Sequence, residues 1–164
     1  MRIVKLLVPA VALLLAGAPA QARDLDAGSP DSRLVVRVSC AEFGTPSYAV
    51  FYDGKQLLES SQLGLITNFA NLADSLRLTG WDSRPIDTTY TQTRIKRSQI
   101  RYRAIETVCH FENPQGRQLD LVLRISDNDI AFRYELPKPN GIGSAAVLEE
   151  RTGFRFPEQT TTFL

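Results

Sequence analysis

The sequence predicts an all-β chain folded as an antiparallel β-sandwich. Ile130, Phe132, Tyr134 and Leu136 alternate with Ala131, Arg133 and Glu135, the period of two that a half-buried strand needs. Pro137 has no N–H to give to a ladder and ends that run. Turn signals recur at short intervals along the rest of the chain, and no long amphipathic helical pattern separates them. Many short strands joined by local turns argue for an antiparallel sandwich over a parallel α/β fold.

Taken in order, strands are expected at about 33–40, 46–52, 55–59, 63–67, 75–79, 100–112, 118–126, 129–136 and 145–155. The first carries Leu34, Val36, Val38 and Cys40 on one face. Asp53-Gly54 suits a two-residue primed hairpin, Asn113-Pro-Gln-Gly116 a longer turn, and Asp127-Asn128 a tight one. Leu65, Phe69, Leu72 and Leu76 fall at helical spacing, which allows a short helix over 65–76. Asn68, Asn71 and Asp74 interrupt it, so the reading there is strand, loop and strand.

Residues 1–22 have the form of a signal peptide: Arg2 and Lys5, an apolar stretch from Leu6 to Ala16, and Ala20-Gln-Ala22 as a small-x-small cleavage site. The apolar stretch falls short of the roughly 20 residues of a membrane span and is interrupted by Pro9. Residues 23–32 read as a loose polar leader and 33–164 as one domain. Taking 22 from 164 leaves 142 residues, enough to bury about two-thirds of the unfolded surface. Without Arg2 and Lys5, the 19 basic residues become 17 against 18 acidic ones, a net of −1. Nothing in that balance suggests a nucleic-acid electrostatic footprint. Cys40 and Cys109 lie near strand ends and are read as a disulfide or as two core thiols; a bridge closing so long a loop would contribute roughly 4 kcal/mol in the chain-entropy model.

Four segments together carry a resemblance. They are Ser29-Pro-Asp-Ser-Arg-Leu-Val-Val-Arg-Val38; Pro46-Ser-Tyr-Ala-Val-Phe-Tyr-Asp-Gly-Lys55 with Leu63-Gly-Leu65 behind it; Asp127-Asn-Asp-Ile-Ala-Phe-Arg-Tyr-Glu-Leu-Pro137; and Leu148-Glu-Glu-Arg-Thr-Gly-Phe154. In order and spacing, from about Ser29 to about Phe156, the chain resembles the N-terminal domain of glycoside hydrolase family 97, which comprises α-glucosidases and related α-galactosidases. None of the four is a catalytic motif. Asp87-Thr-Thr-Tyr-Thr-Gln-Thr-Arg94 departs from the tryptophans and glycine-glutamate pair common in that family.

Residue chemistry points away from an active site within the chain. Glycoside hydrolysis needs two carboxyl groups flanking one bond, and the only adjacent glutamates, Glu149 and Glu150, should point to opposite faces of a strand. Asp127-Asn128-Asp129 has the acidic character of a calcium loop but lacks the alternate spacing and the distant glutamate, and reads as turn chemistry. His110 stands beside Cys109, yet neighbouring strand residues diverge and no third group orients the ring. The basic run from Arg94 to Arg103 distributes its charges over both faces and reads as a solvated strand or a domain contact. Trp81, Tyr52 and Tyr90 are the candidate aromatics for stacking on a sugar ring or for filling an interdomain contact.

The resemblance implies a β-sandwich of the galactose-mutarotase-like super-sandwich kind, present in part, that packs against a (β/α)8 barrel of the same polypeptide. It implies no catalytic residue and no cofactor or metal ligand in this chain; calcium is expected for the full-length glucosidase branch. The expected setting is periplasmic or secreted, with no membrane contact after signal cleavage, and carbohydrate is a candidate partner. A stand-alone sugar-binding sandwich and a strand-pairing interaction domain are the alternatives.

Overall fold

The computed structural model describes residues 23–92, 99–137 and 143–161, so the signal-peptide reading of residues 1–22 and the 94–98 part of the basic run lie outside the described residues. Eleven strands are present among the described residues: β1 (Arg23–Gly28), β2 (Leu34–Cys40), β3 (Ser47–Tyr52), β4 (Lys55–Gln62), β5 (Leu65–Thr67), β6 (Asn71–Leu72), β7 (Arg77–Thr91), β8 (Gln99–Glu112), β9 (Gln118–Ser126), β10 (Ile130–Glu135) and β11 (Val147–Glu150). They form one sheet in the order β1-β2-β3-β4, a second in the order β10-β9-β8-β7, and a small third, β11-β5-β6. Every pairing between them is antiparallel.

Alternation builds the core. Val36 and Val38 of β2 and Tyr48 and Val50 of β3 face Phe111 of β8 and Leu119, Leu121, Leu123 and Ile125 of β9. All of these are buried, each side chain contributing about 1.5 to 3 kcal/mol of transfer free energy. Asp53 and Gly54 adopt φ of 48° and 76°, the left-handed pair that a type I′ hairpin requires. Asn113 Oδ1 accepts from the N–H groups of Gln115 and Arg117 and shapes the β8–β9 turn. Ser126 Oγ does the same for Asn128 and Asp129 between β9 and β10, so the acidic triplet is a turn.

Several elements differ from the sequence reading. The stretch expected to be a loose leader forms β1, whose Leu25 and Ala27 point inward while Asp26 pairs with Arg37. No helix forms over 65–76: Leu65 stands opposite Leu72 in the β5–β6 hairpin, whose turn is held by Thr67 Oγ1 accepting from the Ala70 N–H. A hairpin that brings residues seven apart face to face imitates helical spacing. The strand expected at 75–79 runs on to Thr91. Its Pro85 is tolerated because β7 is an edge strand, where an N–H is not needed on the open side. The last strand is confined to Val147–Glu150. Cys40 and Cys109 are separate buried thiols, so the disulfide alternative does not hold.

Candidate functional site

Two features of the β10-β9-β8-β7 sheet bear on function: a charged outer face and a hairpin that outruns the sheet. Cross-strand register brings Arg84 (β7), Glu106 (β8) and Arg124 (β9) into one row on the outer face. Glu106 Oε1 accepts from Arg84 Nε at 2.8 Å, and Oε2 accepts from Arg124 Nε at 3.2 Å. Although it faces outward, the Glu106 side chain is only 5% exposed, being covered by the two guanidinium groups. Hydrogen bonds from Arg124 and Arg84 hold its pKa below the usual carboxylate value, so Glu106 stays ionised near neutrality. A general acid needs the opposite shift.

Farther along the same face, His110 lies between two carboxylates. Nδ1 is 2.8 Å from Asp120 Oδ1 and Nε2 is 3.2 Å from Asp82 Oδ2. Carboxylates only accept, so both contacts are hydrogen bonds when the ring is the imidazolium. The hydrogen bond to Asp120 accordingly raises the His110 pKa against desolvation, with Asp82 adding to the rise. Arg133 donates to Glu135 at 2.8 Å. The charges of this face therefore satisfy one another.

The hairpin of β7 and β8 continues past the end of β9. Ala104 pairs with Ser126, the last residue of β9, and beyond that point the residues from Ile86 to Thr91 pair only with those from Gln99 to Ala104. This arm projects roughly 20 Å at about 3.3 Å per residue. Ile86, Tyr90, Ile100 and Tyr102 share one face, continuous with the outer face of the sheet, and Tyr90 is 42% exposed. The other face is polar: Arg101 donates to Asp87 at 2.8 Å, and Arg103 approaches Asp127 at 3.4 Å. A two-stranded ribbon is marginal alone, and a partly exposed apolar face on one invites a partner.

The sugar-stacking candidates do not converge. Trp81 and Tyr90 lie on opposite faces of β7, and Tyr52 belongs to the other sheet, where the Arg33 guanidinium sits 4.6 Å from its ring centre. Cys109 points into the core and His110 out of it, and burial pushes the Cys109 thiol up to about 12. Glu149 pairs with Arg151 at 2.8 Å, and Glu150 is exposed on β11. Among the described residues, no group of three or more His, Cys, Asp and Glu side chains is placed to hold a metal ion. The Arg84–Glu106–Arg124 row and the Asp82–His110–Asp120 bracket were not legible in the sequence, because only strand register brings them together.

Comparisons with known proteins agree on one family. The family model described as "Glycosyl-hydrolase 97 N-terminal" matches residues 28–164. A probable retaining alpha-galactosidase of Streptomyces bingchenggensis is 36% identical over 124 residues, covering 76% of this chain and 19% of its own. The crystal structure of a beta-arabinopyranosidase superposes with a TM-score of 0.82 at 51% identity, over 87% of this chain and 23% of that one. A glycoside hydrolase family 97 enzyme from Pseudoalteromonas sp. strain K8, solved with panose, gives a TM-score of 0.74 at 25% identity, over 82% and 20%. The chain thus spans about a fifth of the length of the relatives it matches.

Proposed function

The chain belongs to the glycosyl-hydrolase 97 N-terminal family, and from that membership we propose that it serves as the non-catalytic β-sandwich that supports the catalytic domain of an exported glycoside hydrolase. The observation that carries this reading is the family match over 28–164, on a chain that spans about a fifth of relatives named as glycosidases. The β7–β8 arm adds the surface. Its face of Ile86, Tyr90, Ile100 and Tyr102 offers a second domain an apolar strip, while Asp87, Arg101 and Arg103 keep the opposite face in water.

The polypeptide as a whole, on this reading, hydrolyses α-glucosidic or α-galactosidic bonds. Its acid and its base or nucleophile come from a barrel domain, and calcium, in the glucosidase branch, belongs to parts outside this chain. Export by the segment from Met1 to Ala22 into the periplasm or medium fits the composition of that segment. The partner that the arm meets is the catalytic domain of the same polypeptide, and carbohydrate is the substrate the assembly handles.

The test is to assay p-nitrophenyl α-glucoside and α-galactoside hydrolysis with this chain alone and with a polypeptide that carries a following catalytic domain. Turnover is expected only from the longer polypeptide. Turnover by the chain alone, retained through purification, would refute the non-catalytic assignment.

A further inference from the structure

A cleft of about 470 Å³ opens between the β5–β6 hairpin and the β8–β9 turn, lined by Phe69, Asn71, Asp74, Asn113, Gln115 and Arg117 among others. Its walls are fixed by their own backbone. Asn71 Oδ1 accepts from the N–H of Ala73 at 2.9 Å and of Asp74 at 3.3 Å. Asn113 Oδ1 holds the facing turn through Gln115 and Arg117. Asp74 is steadied on one oxygen by Thr45 Oγ1 at 3.1 Å and on the other by the Asn71 amide Nδ2 at 3.4 Å. Two long polar side chains on the rim are uncommitted: among the described residues, neither the Gln115 amide nor the Arg117 guanidinium has a hydrogen-bond or ion-pair partner.

We propose that this cleft is a binding site for a neutral sugar, separate from the face that meets the catalytic domain. The chemistry selects the ligand. A planar guanidinium and an amide donate to adjacent hydroxyls, a carboxylate accepts from another, and an aromatic ring takes the C–H face of a pyranose. A phosphate or carboxylate ligand would meet Asp74, and an apolar ligand would leave most of the lining unsatisfied. The size suits a mono- or disaccharide.

The cleft lies at the Glu112 end of β8 and the arm at its Gln99 end. Tyr102 and Glu112 are ten residues apart on that strand, roughly 33 Å at 3.3 Å per residue. The cleft is thus at the opposite end of β8 from the arm, and the site would hold substrate chains near the enzyme without taking part in the reaction. The choice of sugar among polyols rests on the glycoside-hydrolase reading.

The test is amide hydrogen exchange on the whole polypeptide with D-galactose, D-glucose and L-arabinose as probes, followed by mass spectrometry of the peptides covering 69–75 and 113–117. At least one sugar is expected to slow exchange in both peptides. Arg117→Ala, whose backbone N–H keeps its bond to Asn113, is expected to raise the half-saturating concentration about tenfold. Gln115→Ala should act in the same direction. Unchanged exchange with all three sugars at saturating concentration, or a footprint unaltered in both variants, would overturn the proposal. Either result leaves arm docking intact, since protection of the arm peptides is read separately in the same data.

Discussion

Ala104 on β8 faces Ser126, the last residue of β9, and is the last position at which the long hairpin has a third strand beside it. Ala104 is fully buried, while Tyr90, toward the tip, is 42% exposed. The boundary between sheet and arm thus falls within a few residues. On one side lies a row of paired charges, Arg84–Glu106–Arg124; on the other lies a partly exposed apolar strip.

That boundary predicts a substitution whose cost depends on context. Tyr90→Asp should change the stability of this chain alone by no more than about 0.5 kcal/mol, as for other surface positions. In a polypeptide carrying the catalytic domain it should cost about 1 to 3 kcal/mol, since a charge would be buried against the docked face. Denaturant midpoints of the two polypeptides, each with and without the substitution, check it.

Gly64 has φ of +132°, and a Cβ there would lie 2.4 Å from Ala73 Cα and 2.6 Å from the Leu72 carbonyl oxygen. Its N–H donates to Tyr134 Oη at 3.0 Å, and its carbonyl accepts from the Arg151 N–H, so the residue joins three parts of the molecule. Gly64→Ala should cost about 3 kcal/mol or more. Gly54→Ala, with φ of +76° and open space around it, should cost about 1 kcal/mol. Thermal or denaturant unfolding distinguishes the two.

The His110 bracket predicts the sign of a pH dependence. The hydrogen bond to Asp120, helped by Asp82, raises the folded pKa above the usual 6.5. A raised folded pKa means that the stabilisation is complete below 6.5 and is lost as pH rises through the folded value. His110→Asn should therefore flatten the fall in stability above pH 6.5, with the largest loss on the acid side of that value, as read from denaturant midpoints across a pH series.

Burial pushes the Cys40 thiol up to about 11 and the Cys109 thiol up to about 12. Both should resist alkylation in the native protein and react fully after unfolding without a reductant. Intact mass after alkylation under the two conditions gives the result directly.

Much of the fold is legible in the sequence where a residue acts on its immediate neighbours. The alternation of Ile130 to Leu136 and the Asp53-Gly54 turn are cases of this, and both behave as expected in the folded chain. Long-range pairing is where the sequence is silent. Arg-Asp-Leu-Asp-Ala-Gly is too polar to signal a strand by itself, and β1 exists because β2 pairs with all six of its residues. Pro85 hides the length of β7 because its tolerance depends on an edge position that only the assembled sheet defines. Glu106 shows no distinguishing context in sequence; its burial comes from arginines 22 residues before and 18 after it. Phe69 and Arg117 likewise line one cleft only because two turns close at one end of the sandwich.

Amide exchange distinguishes a β7–β8 arm that docks a catalytic domain from one that stays in solvent. Peptides covering 86–91 and 99–103 are compared between this chain alone and a polypeptide that carries the catalytic domain. Fast exchange is expected in the chain alone and strong protection in the longer polypeptide, with the β8–β9 turn at 113–117 unchanged. Equal exchange of the arm in both, with new protection elsewhere on the sandwich, would contradict docking through the arm.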